Sequence, residues 1–527
     1  MYKRIRKYLY LSVCLVLLGS IGCKKNTFNI NDINPNTPVP ADVAPKFILS
    51  GALATTANIV RGGQTMSGVF GDPDYIELYM GYWSTSGDYI PQTTVLTYQT
   101  TTDYGADNWN SGYLNIKNYR EMEATASTDP NAGYYVAMGE IMESFMYERL
   151  VDQYNNIPYH DALNGGTENF PKYDNASDVY DSLIVQLNSA IALIGSDTAN
   201  VNAENPGSYD IMFGGNMTEW IQFANTLKLK MALNESQYSG GAAFIQSALA
   251  GTSTYGFLQA GEDAAVNPGY SNSSEAQQSP FYYDMGFSTS GATQNNEPQL
   301  RACSYIVNYM YANFDTLRLY QLFAPNAQSP AVVLGRPFGS NVSNGQDNQH
   351  ISGMGPGLLQ TPSSPCVILP ACESFFMQAE AVLDNLPGAS GFGSALTLYT
   401  TGMEESFRLL QVVGPSGESP QGAADDYINA NASNPNVALT GSTSQQVQTV
   451  VTQEWVAYSG FDPLASWNNY RRLGIPTSLP VSQFAGSVAT HIPYRLLYPT
   501  SEYSYNSTNV NAQGPINNMT STIFWMP

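Results

Sequence analysis

Reactive side chains are scarce in this 527-residue chain. Three histidines, His160, His350 and His491, stand far apart with no H-x-x-x-H spacing, so no preformed zinc site is expected. Each is read as a solvent-facing or hydrogen-bonded loop histidine. Five cysteines include no C-x-x-C pair, and beyond Cys14 and Cys23 they leave an odd number, Cys303, Cys366 and Cys372. A Cys366–Cys372 bridge is one reading and buried free thiols the other. There is no G-x-S-x-G elbow, P-loop or G-x-G-x-x-G fingerprint; Gly353, Gly355 and Gly357 form only a flexible stretch interrupted by Pro356. Charge is also sparse, at 12% of residues, and unbalanced, with 21 Lys and Arg against 43 Asp and Glu for a net −22. Nucleic acid and anionic lipid are therefore poor partners.

A glycosidase needs two acids flanking the scissile bond but imposes no sequence spacing on them. Asp72 with Asp74, Asp425 with Asp426 and Glu404 with Glu405 are neighbours of that kind. Among 43 acids such neighbours arise by chance, and they are read as solvated surface. No catalytic residue, metal or cofactor is expected.

The N-terminus is more informative. Lys3, Arg4, Arg6 and Lys7 precede an apolar run from Tyr8 to Leu18, followed by Gly19-Ser20-Ile21-Gly22-Cys23. Residues 1–22 read as a secretory signal too short to span a bilayer comfortably, and Cys23 as the lipidated first residue of the mature chain. Residues 23–43, rich in Asn and Pro without periodicity, read as a tether. From residue 44 to 527 the chain lacks a compositional linker and is expected to form one large α-helical domain. No other run approaches the 18 apolar residues of a membrane span.

Helix signals recur through that domain. Tyr134 to Tyr154 places Met138, Ile141, Met142, Phe145 and Leu150 on one face. Asn175 heads an amphipathic run that Gly195 is expected to stop, and Asn216 with Glu219 resembles a capping box. Glu373 to Leu386, Ser394 to Leu410 and Ser444 to Tyr458 continue the series as antiparallel pairs. Near the C-terminus Asp462 suits an N-cap, Pro463 the first helical position and Gly474 the exit. That short helix carries adjacent arginines, Arg471 and Arg472, either an anion clamp or internal ion-pair partners.

Long irregular stretches near 65–111, 261–298 and 335–365 separate these helices, and loops of that length are usually functional. The first interleaves Tyr82, Trp83, Tyr98 and Trp109 with Asp, Asn, Thr and Gly. Sugars present apolar C–H faces and hydroxyl rings, so their sites use aromatic platforms with polar partners. Tyr75, Tyr79 and Tyr82, however, recur at helical spacing, as do Trp109 and Tyr113, a pattern equally suited to a core. Phe281, Tyr282 and Tyr283 in the second stretch, and Arg336, Asn344, Asp347 and Asn348 in the third, supply further rings and hydrogen-bonding groups. The residues singled out as ligand contacts are Trp83, Tyr82, Tyr98, Trp109, Tyr283 and Asn348.

Several segments, in order and spacing, carry a family resemblance: VDQYNNIPYHDAL at 151–163, DIMFGGNMTEWIQFANTLKLKMAL at 210–233, ILPACESFFMQAEAVL at 368–383, VVTQEWVAYSGFDPLASWNNYRRLGIP at 450–476 and IPYRLLYPTSEYSYN at 492–506. The chain resembles the SusD/RagB outer-membrane nutrient-binding lipoproteins, in particular the SusD-like 2 subgroup. The resemblance implies a mainly α fold, a scaffold of tetratricopeptide-like helix pairs with a loop-rich ligand face. It also implies an outer-membrane lipid anchor facing the cell exterior, and a SusC-like TonB-dependent transporter as partner. The implied activity is capture of oligosaccharides, or in some members peptides, without catalysis; a secreted glycoside hydrolase is the reading from another class. It further places Arg471 and Arg472 in the scaffold, which favours ion pairing inside an acid-rich chain.

Overall fold

The computed structural model describes residues 43–62, 72–164, 169–294 and 297–527. Cys23 and the side chains of Asp72 and Asp74 lie outside the described residues. From Pro45 to Pro527 the chain forms one compact unit.

Helix α1 (Pro45–Arg61) and helix α2 (Asp72–Tyr79) lead into strand β1 (Trp83–Thr85). Helices α3 (Ala106–Ala126), α4 (Gly133–Tyr154), α5 (Ala176–Asp197) and α6 (Met217–Asn234) then pack each on the next, and α1 lies against α3. Helix α4 is buried almost all round, from Tyr134 to Tyr154, which is why its apolar residues exceed a single stripe. Strand β2 (Ala264–Val266), a short helix α7 (Pro280–Met285) and strand β3 (Leu300–Ala302) follow. After them come strand β4 (Cys366–Leu369) and helices α8 (Ala371–Leu383), α9 (Ala395–Leu409), α10 (Pro420–Ala430), α11 (Thr443–Tyr458) and α12 (Pro463–Leu473). Here α8 packs on α9 and α11, and α12 on α11 and back on α2. Mainly α, in tetratricopeptide-like helix pairs, is thus the fold class observed.

Local chemistry sets most boundaries. The Asn216 side chain accepts from the backbone N–H groups of Thr218 and Glu219, and its amide donates to the Glu219 carboxylate. Ser442 and Gln445 close a reciprocal capping box at α11. Asp462 Oδ1 accepts from Ala465 N at 3.2 Å, and Gly474 takes the left-handed conformation, φ 70°, that ends α12. One boundary is corrected: α5 runs through Gly195 to Asp197, because Ile194 stays buried and the last turn retains its partners. That helix has the length and mean hydropathy to cross a membrane. Its apolar face, Val179, Leu183, Leu187 and Ile194, is instead packed against α4 and α6.

The two strand pairs are antiparallel and tie distant segments together. β1 pairs with β3, placing Trp83 opposite Ala302, and β2 pairs with β4, placing Val266 opposite Cys366. The three cysteines Cys303, Cys366 and Cys372 are free and buried. Burial pushes the Cys366 thiol up to about 12, so these thiols are packing groups rather than nucleophiles.

The paired arginines part company. Arg472 makes a two-pronged ion pair with Glu380, its Nη2 at 2.6 Å from Oε2. Among the described residues Arg471 pairs with no carboxylate: Nη1 donates to the carbonyls of Asp152 at 2.6 Å and Tyr494 at 2.9 Å, and its guanidinium lies 3.9 Å from the Trp467 ring. The expected internal ion pairing therefore holds for Arg472, whereas Arg471 is satisfied by backbone and aromatic faces.

Candidate functional site

A cleft of about 230 Å³ opens where the second and third long stretches meet. Arg61, the last residue of α1, lies on one wall. Asp263, Ser279, Phe281 and Tyr282 come from the second stretch, and Gly357, Gln360, Thr361 and Ser364 from the third. Arg408 at the end of α9, Gln411 and Phe461 complete the lining.

The Arg61 guanidinium is held between two rings, 4.6 Å from Phe281 and 5.2 Å from Phe461, and Nη1 donates to the Phe461 carbonyl at 3.1 Å. Beside it Glu77 is fully buried; burial pushes its carboxyl well up, and the Arg61 charge opposes that shift. Arg408 donates from Nη2 to both Asp263 oxygens at 2.7 Å and from Nε to Glu405 at 2.6 Å. Burial lowers the Arg408 pKa, and the two carboxylates more than restore it. Asp263 in turn accepts from Ala371 N, and Glu405 from Gly261 N. Among the described residues, then, Arg408 is matched by two carboxylates, while Arg61 is enclosed by two rings and a carbonyl.

What remains for a ligand is neutral hydrogen bonding and ring faces. Gln411 Nε2 donates to Gln360 Oε1 at 2.7 Å, while Gln360 Nε2 bonds the carbonyls of Gly357 and Leu409. This chain of amides leaves the Gln411 carbonyl oxygen unused. The hydroxyls of Thr361 and Ser364 stand 2.9 Å apart, and Ser279 N donates to the Pro362 carbonyl, joining the two loops. Tyr282 is half-buried and lines the cleft.

Of the residues singled out in the sequence, four are corrected, because none of them lines this cleft. Tyr82 is fully buried, its hydroxyl bonded to the Trp455 carbonyl at 2.5 Å and to Ser466 at 2.7 Å. Trp83 is 1% exposed and sits behind Phe281, ring centroids 6.2 Å apart. Tyr98 is buried with its hydroxyl accepting from Ser482 N. Trp109, 3% exposed, belongs to a separate ring cluster with Tyr113, Tyr154 and Tyr498. Tyr283 is half-buried, one residue along from the ring that lines the cleft; adjacent helical residues do not share a face. Asn348 donates its backbone N–H to Asp88 and is not among the lining residues.

Two other expectations change. Arg336 is buried, donating to the carbonyls of Thr85, Ser340 and Val342, so it pins the third stretch instead of facing ligand. Glu405 is buried in the Arg408 pair rather than solvated. Arg61, Arg408 and Gln411 were not foreseen. Their only sequence signal is the rarity of cations in this chain and the position of Arg61 at the mouth of a long irregular stretch.

The sequence profile of the SusD-like 2 family, described as starch-binding and associating with the outer membrane, matches residues 42–499. Among solved structures, a chitin-binding SusD homologue from Flavobacterium johnsoniae is 21% identical with TM-score 0.72, over 90% of this chain and 98% of that one. A chitin-binding protein is 24% identical with TM-score 0.70, over 91% and 100%. A SusD-like protein from Bacteroides thetaiotaomicron is 21% identical with TM-score 0.70, over 91% and 98%. No curated protein matches the chain.

Proposed function

The chain belongs to the SusD-like 2 family of starch-binding, outer-membrane-associated proteins, and from that premise we propose that it is a non-catalytic receptor for oligosaccharides. In this reading Cys23 carries a lipid anchor at the outer membrane facing the cell exterior. The bound glycan passes to a SusC-like TonB-dependent transporter. Residues 44–527 act as a single binding domain.

The observation that carries the reading is the charge-paired cleft. Arg408, Asp263 and Glu405 have spent their charges on one another, and Arg61 is wedged between two rings and bonded to a carbonyl. An anionic or cationic ligand would have to break those pairs, whereas a neutral, hydroxyl-rich one meets amides, hydroxyls and ring edges as they stand. The rings of Phe281 and Tyr282 supply the platform and Gln411, Thr361 and Ser364 the polar partners.

The test is titration calorimetry against neutral oligosaccharide pools, with chito-oligosaccharides first because two structural neighbours are described as chitin-binding. Peptide pools and an assay for new reducing ends run in parallel. Glycan binding without turnover is the expected result. Enrichment of peptides alone would replace the ligand class, and release of reducing ends would replace the receptor with a hydrolase.

A further inference from the structure

A second concavity, of about 460 Å³, is built by segments that take no part in the cleft just described. Its lining includes Trp109 and Tyr113 of α3, Leu114, Pro158, Leu163 and Glu502. Asn110 adds one amide, and the remaining walls are ring and hydrocarbon, so a sugar would leave most of its hydroxyls without partners there.

Three features mark it as a built site. The Trp109 ring is 97% buried, yet its indole N–H has no hydrogen-bond partner among the described residues, a state it shares with Trp83 but not with Trp220, Trp455, Trp467 and Trp525. Leu163 is held in the left-handed region at φ 62°, a conformation unfavourable for a leucine and tolerated where surrounding structure enforces it. Among the described residues Glu502 is the only charged side chain in the lining. Its Oε2 accepts from Tyr173 at 2.8 Å and Asn506 at 3.2 Å, which fixes the carboxylate and leaves Oε1 unused. Tyr113 is fixed too, its hydroxyl donating to the Pro158 carbonyl at 2.6 Å.

One unopposed carboxylate, two aromatic rings and aliphatic walls are complementary to a cation on an apolar body. We propose that this pocket binds small organic ammonium compounds, with the ammonium group at Glu502 and the hydrocarbon part against Trp109, Tyr113 and Leu163. The site is independent of glycan capture at the loop cleft.

Phenethylamine and 2-phenylethanol are matched probes, nearly identical in shape and differing in charge. Ligand-observed NMR titration of the whole protein is expected to show phenethylamine binding roughly tenfold more tightly than 2-phenylethanol. Glu502→Gln removes that preference while leaving the weak binding of 2-phenylethanol and the melting temperature unchanged. Should Glu502→Gln disturb the Tyr173 contact and the fold, Leu114→Arg serves instead. Leu114 is 66% exposed, and an arginine there supplies a competing cation that abolishes phenethylamine binding without touching the loop cleft. Equal binding of the two probes, binding of neither, or a preference that survives both substitutions overturns the proposal.

Discussion

Arg472 and Glu380 face each other in the interior as a bidentate ion pair, both side chains 1% exposed or less. Asn469 Oδ1 takes two further bonds from the same guanidinium. The pair joins α12 to α8, so it closes the scaffold across nearly a hundred residues of chain.

Removing one partner strands the other charge away from water. Glu380→Ala is expected to lower unfolding free energy by about 3–5 kcal/mol, whereas the double substitution Arg472→Met, Glu380→Leu loses less than either single change. Denaturant titration of the three variants checks this.

Trp83 belongs to the support of the site rather than its surface. Its ring backs Phe281, which in turn faces Arg61. Trp83→Ala is expected to destabilise the protein by about 3–5 kcal/mol through the cavity it leaves. A substitution that leaves the melting temperature unchanged would contradict the placement of this ring.

Tyr282→Ala and Gln411→Ala, by contrast, alter half-exposed side chains at the cleft. Each is expected to weaken glycan binding roughly tenfold, about 1.4 kcal/mol, with an unchanged melting temperature. Calorimetry beside a thermal melt separates the two effects.

Burial pushes the Glu454 carboxyl up to about 8, and Glu373 up to about 7, while in the unfolded chain both titrate near 4.3. The folded state therefore binds protons that the unfolded state has released. Their contribution to stability is full below the unfolded value and declines as pH rises through the folded one. The melting temperature is expected to fall between roughly pH 5 and pH 8, and Glu454→Gln to flatten that slope. A midpoint that rises over this interval would exclude these carboxyls as its cause.

The helices were legible because periodicity and caps are local: Asn216 and Asp462 each signal a boundary within three residues of it. The site was less so. Tyr82 and Tyr98 look like ligand platforms in sequence, because nothing local reveals that Trp455 and Ser482 satisfy their hydroxyls from more than 370 residues away. The distinction between Tyr282 and Tyr283 depends on which way a six-residue helix is turned, and so does the exclusion of one of them from the cleft. Arg61 and Arg408 sit in last helical turns, where a cation already has a role beside the helix C-terminus; their meeting at one cleft exists only in three dimensions.

The run of contacts from Trp83 through Phe281 and Arg61 to Phe461 bears on kinetics as well as shape. A wall fixed by the core, with its guanidinium already wedged between rings, has few side-chain rotations left to freeze when a ligand arrives. Association should then proceed in one kinetic phase with a rate that varies little from glycan to glycan. Differences in affinity would be set by how long each ligand stays before departing.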